Sequence, residues 1–290
     1  PDSLIDFVSQ SGLSLEQIYK NGRSFTILQK LAFEPDQKLS ETETSLSRAF
    51  SRCLHIDDEA RLSAYSRILN DQTLETDKRY LKMFGYLIFN KQSNVTDPAD
   101  LFRSLRKTAM NSELLDLLDL LKNRRARVTL PLNKDIVPLE IHARYSRAEV
   151  LAAFGCDATG AEFGVKWVED QGADLAFVTL NKNEKHFSPT TMYADTAISS
   201  ELFQWESQSQ TSETSEVGKR YQKKDGTGST FHLFVREHKS DPESGVNMPF
   251  MYFGPANYVS HVGSSPMRIL WKLNYLIPSD VLSNSKVLAS

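Results

Sequence analysis

Tyr193, Asp195, Phe203 and Trp205 fall close together in "TTMYADTAISSELFQWESQSQTS", residues 190–212. A pocket for an extruded nucleobase needs flat apolar walls and a polar group matched to the base's pairing edge. The three rings are candidate walls, and the Asp195 carboxylate is a candidate acceptor for an exocyclic amine such as N4 of cytosine. Phe203 and Trp205 are two apart, so they share a face if the segment is a strand. Ser207 and Gln208 begin a run of hydroxyls and amides suited to lining a polar ligand. The competing reading is plain: aromatic residues in β domains are usually core.

Two further stretches have the composition of a phosphate-contacting surface, which takes charge from lysine or arginine and directional bonds from hydroxyls and amides. "LNKNEKHFSPTTMY" offers Lys182, Lys185, His186, Ser188, Thr190 and Thr191. "GKRYQKKDGTG" offers Arg220 and Lys223 beside Lys219 and Lys224, and its Asp225-Gly226 pair suggests a hairpin turn. Either stretch also reads as an ordinary solvated loop.

Other chemistries find little support. The chain has no GxxxxGK[ST], GxGxxG, HExxH or GxSxG. His232 and His238 bracket one strand, a weak basis for a metal. A nuclease needs an acid and then an acid-x-Lys unit. Asp174, Glu162 and Lys182 supply only part of this, since Leu180 stands where the second acid belongs. The sequence therefore calls for no cofactor, no metal and no catalytic residue.

These residues need a scaffold, and its texture changes midway. "SETETSLSRAFSRCL" opens with Ser40 and Glu43 at capping-box spacing, and Leu46, Ala49, Phe50, Cys53 and Leu54 recur at helical spacing. Helical patterns follow in "DDEARLSAYSRIL", "DKRYLKMFGYLIF", "DPADLFRSLRKTAM" and "NSELLDLLDLLKNRRAR", with shorter helices in residues 1–33. Pro131 and Pro138 interrupt the pattern. One more helix is expected at "SRAEVLAAFG", with Ser146 as cap and Glu149 at the box position. Beyond Phe154 the pattern is β: "FGVKWVED", "ADLAFVTLNK", "STFHLFVREH", "PFMYFGPANYVSHVG" and "MRILWKLNYLIP". The spacing predicts an α+β protein with an all-α helical coupler domain at 1–135. A β-rich domain at 136–290 follows, a curled sheet or barrel of roughly five to seven strands.

Bulk properties narrow the partners. The 290 residues are 40% hydrophobic and 10% aromatic, enough for packed cores. Residues 1–135 carry 20 Lys and Arg against 19 Asp and Glu, net +1, and residues 136–290 carry 14 against 18, net −4. A nucleic acid would have to be held by local patches rather than a bulk field. Cys53 and Cys156 are too far apart for a metal motif and suit a reducing, cytoplasmic setting. There is no run of 18 apolar residues, so no membrane partner is expected. Pro1 in place of a methionine suggests a piece of a longer protein.

"PLEIHARYSRAEVLAAFG", "FVTLNKNEKHFSPTTMYADTAISSELFQWESQSQTS", "GKRY", "LFVRE" and "YVSHVGSSPMRILWKL" together resemble a C-terminal domain family long described as of unknown function. It occurs in bacterial proteins that also carry a phospholipase D-like nuclease and a superfamily-two helicase. SauUSI-type modification-dependent (type IV) restriction enzymes are among them. The resemblance covers about residues 138–278 closely and 1–130 more loosely. It implies a non-enzymatic fragment that reads 5-methylcytosine or 5-hydroxymethylcytosine in duplex DNA for helicase and nuclease domains of a parent chain. It also implies a reader similar to the SRA (PUA-like) fold, which flips the base between aromatic rings. Gln204 departs from the histidine common before the tryptophan in that family. The expected base-binding set is Tyr193, Asp195, Phe203, Trp205, Ser207 and Gln208. The expected backbone set is Lys182, Lys185, His186, Ser188, Thr190, Thr191, Arg220 and Lys223. The alternatives are a reader of unmodified DNA sequence and a protein-interaction module that does not bind DNA.

Overall fold

The computed structural model describes residues 1–34, 38–125, 127–132, 137–157, 164–180, 195–223, 228–241 and 246–287. It is an α+β protein that divides into two compact units, Pro1–Thr159 and Gly160–Ser290. With the division at 159/160, the stretch after Pro138 groups with the helices.

The first unit strings together α1 (Leu4–Ser11), α2 (Leu15–Ile18), α3 (Phe25–Phe33), α4 (Glu41–Cys53), α5 (Glu59–Leu69), α6 (Lys78–Phe89), α7 (Pro98–Leu105) and α8 (Ala109–Arg124). Short strands β1 (Leu130–Pro131), β2 (Glu140–Ile141) and β3 (Arg144–Tyr145) precede α9 (Arg147–Ala153). Local chemistry starts these helices. Reciprocal capping boxes join Ser40 to Glu43 at α4 and Ser146 to Glu149 at α9. Asp97 caps α7, whose first residue is Pro98. Packed rings form the core: Tyr65 stacks on Phe84 at 4.0 Å and Phe84 on Phe102 at 4.7 Å.

A second layer of this unit is ionic. Arg61 on α5 is fully buried. Its guanidinium pairs with Asp58, donates to Glu149 Oε1 at 2.8 Å and to the Arg144 carbonyl at 2.7 Å, and lies 4.0 Å from the centre of the Tyr145 ring. Asp57 accepts from the Arg144 backbone N–H at 2.9 Å and from its Nε at 2.8 Å. His55 closes the network on Glu149 Oε2 at 2.7 Å. Residues 140–153 are thus fastened to α5 by buried charge, which is strongly destabilising to break from one side.

The second unit is built on one sheet of β4 (Val165–Val168), β5 (Ala173–Thr179), β6 (Thr196–Ala197), β7 (Leu202–Glu206), β8 (Thr230–Arg236), β9 (Phe250–Val262) and β10 (Arg268–Leu273). Their order is β4-β5-β8-β9-β10-β7-β6. β5 and β8 run parallel, and the other neighbours along this path run antiparallel. The end strands β4 and β6 do not pair, so the sheet is open and not a closed barrel. The helix α10 (Glu216–Gln222) comes between β7 and β8, and α11 (Ser279–Val287) is the last described element. Phe203, Trp205, Tyr221, Phe231, Phe253, Ile269 and Trp271 form the centre of the core. Phe231 and Trp271 stack at 3.8 Å.

Candidate nucleic-acid interface

Strand alternation sends every second side chain of β7 and β10 away from that core. Ile269 and Trp271 pair with Trp205 and Phe203 on the inner face, while Arg268, Leu270 and Lys272 pair with Glu206, Gln204 and Leu202 on the outer. β9 extends the outer face with Val262, Ser260 and Asn257, opposite the same three β10 residues. A bulge between Tyr258 and Ser260 makes this possible by shifting the alternation, so that residues 257 and 260 share a face. On the far side Thr196 of β6 pairs with Gln204. None of these residues is buried. The patch spans about 14 Å in each direction from ordinary strand spacings. It carries two cations at its ends, an amide at its centre and hydroxyls on either side. Glu206 faces Arg268 at 3.5 Å.

The residues singled out by sequence distribute differently. Tyr193, Lys182, Lys185, His186, Ser188, Thr190 and Thr191 lie outside the described residues. Phe203 and Trp205 are packed core: Trp205 is 5% exposed and meets Tyr221 at 5.6 Å and Phe231 at 5.2 Å. Their rings face the interior because β7 turns Gln204 outward between them. Asp195 is half-buried, and its Oδ1 accepts from the Glu206 backbone N–H at 2.9 Å, which fastens the start of β6 to the end of β7.

Ser207 is buried in a two-way clasp with Met267, donating its backbone N–H to the Met267 carbonyl and accepting the Met267 N–H on Oγ, each at 2.9 Å. Gln208 is exposed beside it. The clasp places Gln208 on a rim formed by residues 207–216 and 263–266. There His261 bridges Tyr258 at 2.6 Å and Glu213 at 3.2 Å.

The segment read as a basic hairpin is helical through Gln222. Ser215 caps α10, and a Cβ at Gly218 would lie 1.9 Å from the Ser212 carbonyl oxygen, so only glycine lets the helix pack there. Arg220 is engaged in a bidentate pair with Asp174, both bonds at 2.9 Å, and its guanidinium lies 4.0 Å from the centre of the Trp167 ring. Burial pushes the Arg220 pKa down, but the bonds and charge of Asp174 hold it above its ordinary value. Asp174 is fully buried and also accepts from Ser229 Oγ, so its oxygens are taken up within the fold. Lys223 ends α10 in a left-handed conformation and is exposed. Among the described residues no group of three or more His, Cys, Asp or Glu could hold a metal ion. No described helix is long and apolar enough to cross a membrane.

Arg268, Lys272, Asn257 and Ser260 are outer-face residues that motif reading passed over. The alternation of "MRILWKL" contains the signal for the first two. The bulge in β9 hides the other two.

Residues 139–284, half of the chain, match the family described as a domain of unknown function (DUF3427). The chain belongs to the DUF3427 family. The matched segment begins twenty residues before the break between the two compact units, so the DUF3427 region includes the β2–α9 stretch fastened to α5. No curated protein matches the chain significantly.

Proposed function

We propose that the DUF3427 region binds duplex DNA and favours sites carrying 5-methylcytosine or 5-hydroxymethylcytosine, acting as a non-catalytic reader for helicase and nuclease domains of a parent chain. The observation that supports DNA binding best is the outer sheet face. Arg268 and Lys272 bracket a polar centre of Gln204, Thr196 and Ser260, the mix of charge and directional bonding a phosphodiester strand requires. The preference for a modified base rests on the sequence resemblance carried by residues 177–212. In this reading Asp195 and Gln208 belong to the rim that meets the base. Phe203 and Trp205 are the packed support beneath it, and base flipping places the cytosine against that rim.

The test is a salt titration of duplex binding with the full chain and with an Arg268→Ala/Lys272→Ala variant. Each lost phosphate contact lowers the slope of log affinity against log salt by about 1. The variant is expected to bind more weakly at low salt and to lose about two units of slope. An unchanged slope in a folded variant would remove this face from the interface.

A protein-interaction module without DNA binding is the second reading, and the complete burial of Phe203 with the near-burial of Trp205 favours it. It predicts no duplex binding even at low salt.

A further inference from the structure

An open depression of about 300 Å³ lies on the helical unit, lined by Leu39, Glu41, Thr44, Ser45, Arg48 and Arg52. This volume is at the lower end of small-ligand clefts, roughly 300–1,000 Å³. Its two arginines are one helical turn apart on α4 and therefore share a face. They are held in different ways. Arg52 donates from Nε to the Leu87 carbonyl at 2.9 Å and from Nη2 to the Ile88 carbonyl at 3.0 Å, which closes the last turn of α6 and fixes the guanidinium in place. Arg48 lays its stem against Gly22, where an added Cβ would come within 2.6 Å of Arg48 Cγ. Its guanidinium has no hydrogen-bond or ion-pair partner among the described residues, and neither has the Ser45 hydroxyl. The Thr44 hydroxyl donates to the Ser40 carbonyl at 3.0 Å, leaving its oxygen to accept. Among the described residues Glu41 is the one carboxylate in the lining, so the described lining sets two guanidiniums against one acid.

We infer that this depression binds a phosphate group, with Arg48 and the fixed Arg52 as its cationic walls and Ser45 as a hydroxyl donor. Guanidinium forks match tetrahedral oxyanions, and an arginine already immobilised costs little to order on binding. The phosphate belongs either to a nucleic-acid backbone or to a free phosphate ligand. The site is in the helical unit and uses none of the residues of the sheet face, so the two fail separately.

The test uses the full chain with 15N-labelled arginine and follows the side-chain Nε–H signals. Inorganic phosphate is one titrant and a short unmodified duplex the other. Arg48→Met keeps the stem over Gly22 and removes the charge. The expected result is a saturable shift of the Arg48 and Arg52 signals in the parent chain and about a ten-fold weaker response in Arg48→Met. Saturation by the duplex, with displacement of phosphate, assigns the site to nucleic acid. Saturation by phosphate alone assigns it to a free ligand. A linear, unsaturating response to both titrants, or an equal response in Arg48→Met, overturns the proposal.

Discussion

Glu149 is a carboxylate with no exposure, held by five donors. Arg61 and Tyr65 bond it from α5 and His55 from the turn after α4, and Ser146 bonds it through both backbone N–H and hydroxyl. Burial alone would raise its pKa. The charges of His55 and Arg61 and the bonds to His55 and Ser146 outweigh burial and hold it at about 2, against 4.5 for a free side chain. The folded value is the lower one, so the stability it contributes is fully present above about pH 4.5. It is lost as the pH falls toward 2. That contribution is on the order of 3 kcal/mol. Urea unfolding at pH 7, 5 and 3 is expected to show the parent chain losing most between the last two values. Glu149→Gln should be about 3 kcal/mol or more weaker at pH 7 and flatter with pH. Parallel pH curves for the two proteins would contradict this role. Only half of the arrangement is legible in sequence. The Ser146–Glu149 box spacing announces the cap, but Arg61 and His55 come from 88 and 94 positions away, and nothing local points to them.

At the scale of elements, sequence pattern reached furthest where the physics is local. α4 and α9 start at the capping boxes their sequences advertise, and "STFHLFVREH" puts Phe231, Leu233 and Val235 into one core face as its alternation requires. Two features depend on other strands and are not readable in any one segment. Sheet closure depends on whether the end strands pair, and they do not. The face occupied by Ser260 depends on a bulge in β9. The helix over "GKRY" packs only because Gly218 meets the Ser212 carbonyl, while the turn expected at Asp225-Gly226 lies outside the described residues.

The boundary between units follows the same logic. Pro131 and Pro138 mark a change of texture, but Arg61 requires the Arg144 carbonyl and Glu149. A chain ending at 135 leaves that guanidinium without these partners, and losing one side of a buried pair costs about 3–5 kcal/mol. This is a large share of the roughly 5–15 kcal/mol that holds a domain together. Residues 1–159 are therefore expected to unfold in one cooperative urea transition. Residues 1–135 should have a much lower midpoint or no transition. Equal midpoints would show that the 140–153 stretch is not part of the helical unit.

For the whole molecule the charge balance decides how DNA can be held. The net charge is −3, with residues 136–290 the more acidic part, so a duplex gains nothing from the overall field. In the proposed reading, binding comes from the few cations on the outer face and from contacts to the modified base. Affinity should then be modest, and a single modified base should be felt. One buried methyl group is worth about 0.8 kcal/mol, roughly four-fold, and a well-fitted pocket up to about 3 kcal/mol. Stacking, at about 1–3 kcal/mol per base, offsets the cost of unstacking. The most direct measurement is binding of the full chain to a short duplex with one 5-methylcytosine and to its unmodified twin, at two salt concentrations. The account predicts binding to both at low salt, weakening with salt, with the methylated duplex at least about four-fold tighter. Equal affinity for the two duplexes, or no binding to either by a folded sample, would contradict it.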